Sequence, residues 1–333
     1  MSKRGIFLVI FILLIVIAIS AGILSKRHDQ RSGSRTLQEV RLYADPTRAF
    51  YAPVQFAIDQ NLFKNEGLDL KIIPQQQGSF IPELFQSQSI DLGFASVGAD
   101  LFNAFSRGIK MYIVADYIEN DQWIMVRKDL WDDGTVRSIA DLKGRSVRTS
   151  GEGEGNYYAL GKLLESAGLS INDVKLNNLG TSETMAALAA RKLDAAIIGE
   201  PSRTQVISKG LAVMLPDRGP TYQIAVLMAS ENMVSDRAEI LRKFLKVYVG
   251  ALQEYMAAYK GQEPERSEMV QVMTEITGDK PDTIKNMLWH AVNTSGLPNI
   301  ASIKDIQSYF YKLKLVDRLV DMNSFVRTDL LPR

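Results

Sequence analysis

Residues 182–201 read SETMAALAARKLDAAIIGEP, and the periodicity of this stretch changes part-way. Up to Arg191 it has the spacing of a helix; LDAAII, 193–198, is a compact apolar run of strand length that ends in glycine, a carboxylate and proline. The same programme occurs once before. SFIPELFQSQSIDLGFASVG, 79–98, lies over 182–201 at an offset of 103 residues, with Ser79 over Ser182 and Asp91 over Asp194. Identities are few, so what repeats is an architecture more than a set of residues.

Working outward, each copy extends into a β-α-β-α-β series. The first has strands at 41–44, 68–73 and 90–95, with a helix from Pro53 to the stop at Gly67 and another at 81–86. The second has strands at 144–149, 174–179 and 193–198, with helices at 157–167 and 182–191. A strand at 222–230, a long helix at 236–260 and helices at 267–277, 281–292 and 303–315 follow. Alternation of this kind predicts an α/β chain of two Rossmann-like lobes with parallel-rich sheets joined by a two-strand hinge. The chain is expected to cross near 122–126 and 224–228, giving a discontinuous lobe I (39–125 and 226–333) and a lobe II (126–225).

The N-terminus indicates where the chain goes. Lys3 and Arg4 precede an uninterrupted apolar stretch, 5–24, long enough as a helix to cross a hydrocarbon core. It reads as a signal peptide or a membrane anchor; Ala18, Ser20 and Ala21 offer a cleavage site. Residues 25–38 read as a tether, and His28 within it as solvated. Lys26, Arg27, Arg31 and Arg35 outnumber Lys3 and Arg4, which by charge alone favours a cytoplasmic C-terminal portion and opposes export.

Composition narrows the chemistry. The 333 residues carry a net charge of +1 and no concentrated basic patch, which argues against a nucleic-acid surface. The absence of cysteine excludes disulfides, thiolate metal sites and a lipid-modified N-terminal cysteine. With His28 and His290 as the only imidazoles, and no recognisable nucleophilic or paired-acid arrangement, catalysis is not expected. No metal or cofactor is expected either.

In such sheets ligands gather at the carboxyl ends of the strands. Those ends carry Glu200 in one lobe and Ser96, Val97 and Gly98 in the other. The loop TSGEGEGNYY, 149–158, follows a strand and opens a helix, so Gly153, Gly155, Asn156 and Tyr157 can offer backbone donors to a ligand, or simply cap the helix. Its G-x-G-x-G spacing and its acids, Glu152 and Glu154, disfavour a dinucleotide. Asp45, Asp116 after MYIVA, and Glu200 are candidate carboxylate acceptors, with no Arg or Lys evidently placed among them. Phe50, Tyr51, Trp123, Tyr157, Tyr158 and Tyr222 are candidate ring partners, each of which can equally be core or rim. Thr181 caps a helix or meets the ligand, Glu200 is either an acceptor or a solvated turn acid, and His290 is expected to pack on a tail helix. The set favours a flat, neutral or weakly basic ligand.

Three segments carry a family resemblance: FAIDQNLFKNEGLDLKIIP (56–74), SIADLKGRSV (138–147) and LDAAIIGEP (193–201). Together they resemble type II solute-binding proteins of ABC transporters, in the branch that binds aliphatic sulfonates, taurine, nitrate or pyrimidine precursors of thiamine. The resemblance covers roughly 40–320. It implies the type II periplasmic binding protein fold, an extracytoplasmic location, a monomer, and an ABC permease and ATPase as partners. A pyrimidine is the favoured ligand and a sulfonate or nitrate the alternative. Two further readings stay open: a sensor that signals to a membrane partner, and an enzyme resembling thiamine-pyrimidine synthases. By analogy the latter use a histidine and a cysteine-rich iron motif; this chain has no cysteine, and no histidine is expected near the cleft.

Overall fold

Among the described residues, ten strands build two five-stranded sheets. The computed structural model describes residues 36–75, 80–121, 123–217 and 221–332. The apolar stretch 5–24, the tether as far as Arg35 with His28, and Ser79 of the repeat lie outside the described residues. Among the described residues no helix is long and apolar enough to cross a membrane.

The first sheet contains β1 (Gln38–Ala44), β2 (Leu68–Pro74), β3 (Leu92–Ser96), β4 (Met111–Asp121) and β10 (Thr221–Ser230), in the order β2-β1-β3-β10-β4. The second contains β5 (Ile124–Arg127), β6 (Ser146–Thr149), β7 (Lys175–Asn178), β8 (Ala195–Ile197) and β9 (Ala212–Met214), in the order β7-β6-β8-β5-β9. Each sheet is mixed, a qualification to the parallel-rich expectation. β1 pairs parallel with β3, and β6 with β7 and β8, whereas β10 runs antiparallel to β3 and β4, and β5 antiparallel to β8 and β9. β4 carries the chain out of the first sheet and β10 brings it back, so these neighbours run in opposite directions.

The Asp91/Asp194 identity has a physical reason. Each aspartate precedes the third strand of its β-α-β-α-β unit and accepts a backbone N–H from the first strand of that unit: Arg41 N to Asp91 Oδ2 at 2.8 Å, and Ser146 N to Asp194 Oδ2 at 3.0 Å. Each is also paired with arginine, Asp91 with Arg41 (2.9 Å) and Arg237 (3.0 Å), and Asp194 with Arg127 (3.1 Å). Partly buried charge is thereby neutralised at equivalent corners.

The hinge is a long antiparallel ribbon in which Thr221 faces Asp121 and Val226 faces Asp116. Ile124 and Met125 already pair inside the second sheet, and Tyr222 to Ala225 inside the first, so the strand changes fall a few residues from the expected positions. Asp116 sits within β4 and not after its end, because the strand runs on through the ribbon.

The tail is helical, with one exception that matters below. Helix Ala238–Tyr259 buries Leu241, Phe244, Leu245, Tyr248 and Leu252 against the first sheet. The helix read from the sequence at 281–292 stops at Asn286, so His290 lies on irregular chain. Likewise the helix that starts near Pro53 is interrupted at Asn61, whose φ is +54°. Helix Ile300–Lys312 touches both lobes: Asn103 Nδ2 donates to Leu315 O just beyond its end, while Asp305 accepts the Tyr158 hydroxyl at 2.5 Å and lies 3.5 Å from Lys162. Tyr309 seats directly over Gly161. A Cβ at Gly161 would lie 1.7 Å from its hydroxyl oxygen, so only glycine allows this approach.

Candidate functional site

A chamber of about 310 Å3 lies between the carboxyl-terminal edges of the two sheets. This is at the lower end of the range for small-molecule sites. The first lobe contributes Asp45, Arg48, Phe50, Gln75, Phe94, Ser96 and Tyr117; the second contributes Arg148, Asn156, Thr181, Glu200 and Ser202; the tail contributes His290. An adjoining cavity of about 500 Å3 shares Gln75, Phe94, Ala95 and Ser96 and runs on to Asp100, Glu152, Gly153 and Glu154.

The first-lobe wall is aromatic. Phe94 and Tyr117 stack with centroids 3.7 Å apart, and Phe50 meets Tyr117 edge-on at 5.6 Å. Such a wall offers a face on which a flat ring can stack. The second-lobe wall is rich in donors. Helices Gly155–Ser166 and Thr181–Ala189 begin at the chamber with Asn156 and Thr181, and their positive ends favour electron-rich atoms. Arg148 is buried beside them. Its Nε donates to Leu179 O at 2.9 Å and its Nη1 to Ile197 O at 2.7 Å, which fixes the guanidinium. Burial lowers its pKa, and the nearby Glu154 charge opposes that shift.

The two carboxylates on the wall are occupied. Asp45 Oδ1 accepts from Thr47 N (3.0 Å) and Oγ1 (2.6 Å), and its Oδ2 from Arg48 Nε (2.9 Å). Burial opposes ionisation there, but the Thr47 and Arg48 bonds hold the carboxyl below the usual range. Glu200 Oε1 accepts from Arg203 Nε at 2.8 Å and Leu288 N at 3.2 Å, and its Oε2 accepts from Thr204 N at 3.0 Å. The strand that ends in GEP therefore delivers its acid to the next helix and to the tail. The side chain is buried, so a solvated turn acid does not describe it.

The lobes meet around the chamber. Ala99 N donates to Gly153 O at 2.9 Å, and a Cβ at Gly98 would lie 3.1 Å from that same oxygen, so Gly98 permits the glycine loop to approach. Gln205 Nε2 donates to Asp279 Oδ1 at 2.9 Å on the opposite side.

A model of the NMT1/THI5-like family matches residues 49–266. The chain belongs to that family. The chain is similar to the riboflavin-binding protein RibY of Chloroflexus aurantiacus, 27% identical over 127 residues, 37% of this chain and 35% of that protein. It thus spans about a third of the length of that relative. Among solved structures, the periplasmic aliphatic sulphonate binding protein SsuA of Escherichia coli superposes with a TM-score of 0.69 at 17% identity, over 87% of this chain and 92% of that one. The periplasmic nitrate-binding protein NrtA of Synechocystis PCC 6803 does so with a TM-score of 0.67 at 14% identity, over 89% and 87%. These likenesses establish the periplasmic binding protein fold.

Within this NMT1/THI5-like fold, six of the residues singled out from the sequence line the chamber: Asp45, Phe50, Ser96, Asn156, Thr181 and Glu200. Gly98 and Gly153 line the adjoining cavity. Tyr51, Val97 and Tyr157 are buried in the core, and Gly155 lies against Ile224 and Tyr222. Trp123 stands between β4 and β5, off the chamber. Asp116 is fully buried; Gln223 Nε2 donates to its Oδ1 at 2.6 Å and Asn293 N to its Oδ2 at 2.9 Å, so it straps the tail to β4. Desolvation raises its pKa, partly offset by those bonds.

The sequence reading missed Arg48, Gln75, Arg148 and His290, and the expectation of no cation near the site is corrected by both arginines. Arg148 was detectable as the charge inside SVRT, a strand too central to leave it solvated. His290 gave no such signal, because its segment reads as helix. Among the described residues no cluster of three or more His, Cys, Asp or Glu could hold a metal ion.

Proposed function

We propose that this protein is the extracytoplasmic solute-binding component of an ABC importer, closing its two lobes on a flat heterocycle such as a thiamine-type pyrimidine or a flavin. The observation that carries the reading is the chamber itself, with an aromatic wall on one lobe and a fixed-donor wall on the other. A ring stacked on Phe94 and Tyr117 presents its carbonyl or ring-nitrogen acceptors to Arg148, Asn156 and Thr181. Contact with both lobes stabilises the closed state, the β4/β10 ribbon absorbing the rotation. The similarity to RibY supports a flavin-sized heterocycle, and the adjoining cavity gives room for a side chain. Its acids, Asp100, Glu152 and Glu154, disfavour an anionic tail there.

Buried Arg148 with two helix N-termini also supports a second reading, in which a sulfonate or nitrate takes the donor wall. Thermal unfolding with riboflavin, 4-amino-5-hydroxymethyl-2-methylpyrimidine, ethanesulfonate and nitrate separates the two. A ligand at a hundred times its dissociation constant adds about 2.7 kcal/mol of stability. Stabilisation by either heterocycle supports the proposal; stabilisation by ethanesulfonate or nitrate alone replaces it with the second reading.

A further inference from the structure

His290 lies on a segment that is fixed along its length without being regular. Trp289 lies between the Tyr255 ring, stacked at 5.6 Å, and the Arg266 guanidinium, 3.8 Å from its centroid, and its Nε1–H donates to Ile284 O at 2.9 Å. On one side Leu288 N donates to Glu200; on the other Asn293 N donates to Asp116. The backbone N–H of His290 itself reaches the Tyr255 hydroxyl. The backbone is thus held on both sides of His290, while its imidazole lines the chamber and makes no hydrogen bond to any described residue.

Protonation of that ring is disfavoured. Burial first, and then the Arg203 charge, lower its pKa to about 4, against the opposing pull of Glu200. At neutral pH the imidazole keeps one nitrogen lone pair and one N–H. Arg48, Arg148 and the two helix starts supply the chamber with donors; Gln75, whose Nε2 donates to Phe94 O, and the hydroxyls of Ser96, Tyr117, Thr181 and Ser202 are further neutral polar groups on its wall. Its carboxylates already serve Thr47 and Arg48, or Arg203, Thr204 and Leu288.

We infer that His290 is a specificity-determining residue of the chamber, accepting a hydrogen bond from a ring N–H or amino group of the heterocycle whose acceptor atoms face Arg148 and Asn156. The inference rests on the reading of the chamber as a heterocycle site and deepens it. It selects ligands that carry donor and acceptor on one ring, and rejects analogues in which the donor is alkylated, because the imidazole lone pair would then be buried unpaired.

The test compares riboflavin with N3-methylriboflavin, and the aminopyrimidine with its 4-dimethylamino analogue, by equilibrium titration of the wild-type protein and His290→Phe. Alkylation should weaken binding to the wild type at least tenfold, His290→Phe should weaken the parent compound by a similar factor, and alkylation should cost almost nothing further in the variant. Should His290→Phe fail to fold, imidazole 15N shifts of the wild type give the same answer: they should move on binding of the parent compound and not of the alkylated one. A penalty for alkylation that persists in His290→Phe, or 15N shifts that respond equally to both, overturns the inference and leaves the heterocycle reading standing. If neither heterocycle binds the wild type, both fall together.

Discussion

Glu200→Ala tests the structure at the point where the repeat ends. The side chains of Glu200 and Arg203 are 2% and 3% exposed, and the pair is 2.8 Å apart. Removing the carboxylate strands a buried guanidinium and leaves Thr204 N and Leu288 N without their acceptor. Breaking one side of a buried pair costs about 3–5 kcal/mol. For a unit of this size that corresponds to a fall of about 6–10 °C in melting temperature. Glu200→Leu with Arg203→Met should cost less than Glu200→Ala alone, because the stranded cation is gone and only two backbone N–H groups lose a partner. Urea unfolding of the two variants beside the wild type gives the comparison. A Glu200→Ala protein within about 1 kcal/mol of wild type would refute the assignment of Glu200 to the Arg203 and tail contacts, and would return it to solvent or ligand.

Gly161→Ala should force helix Ile300–Lys312 away from helix Gly155–Ser166, since the new Cβ would meet the Tyr309 hydroxyl at 1.7 Å. A loss of about 1–3 kcal/mol is expected; adding Tyr309→Phe should recover only part of it, because the ring Cζ would still lie 2.5 Å from the new Cβ, whereas in a Tyr309→Leu background the cost should largely vanish, and an undiminished cost there in a melting experiment would count against the contact. Folding stability should also decline as pH falls from about 6.5 towards 4. In that window the unfolded chain binds a proton at His290 that the folded chain, with its pKa lowered to about 4, does not. The total is at most about 3 kcal/mol, and a wild-type minus His290→Gln difference curve that stays flat across the window would contradict it.

The architecture was legible in the sequence because both copies of the unit carry it in hydrophobic period and punctuation. Even the sparse Asp91/Asp194 identity proves to be the same corner built twice. The strand directions of β5 and β10 were not legible, since a strand that returns from another lobe looks locally like any other. The site was legible to the extent that it follows from strand ends: Ser96, Asn156, Thr181 and Glu200 all reach the chamber. What Glu200 does there was also within reach, because EPSR places Arg203 at helical i,i+3 spacing, the geometry in which they pair. Asp116 and His290 were not. The role of Asp116 depends on Gln223 and Asn293, and the placing of His290 on the Tyr255 and Arg266 contacts of its neighbour Trp289, groups from separate parts of the chain that are joined only by tertiary structure.

Obstruction of the chamber tests the central claim most directly. Ser96 is exposed, lines both cavities and has no core role, so Ser96→Phe should fill the passage between them while leaving the fold intact. Calorimetric titration with riboflavin and with the aminopyrimidine should show one site per wild-type chain, lost or weakened at least a hundredfold, about 2.7 kcal/mol, in a Ser96→Phe protein that melts normally. Unaltered heterocycle binding by that variant would show that the ligand sits elsewhere and would contradict the account.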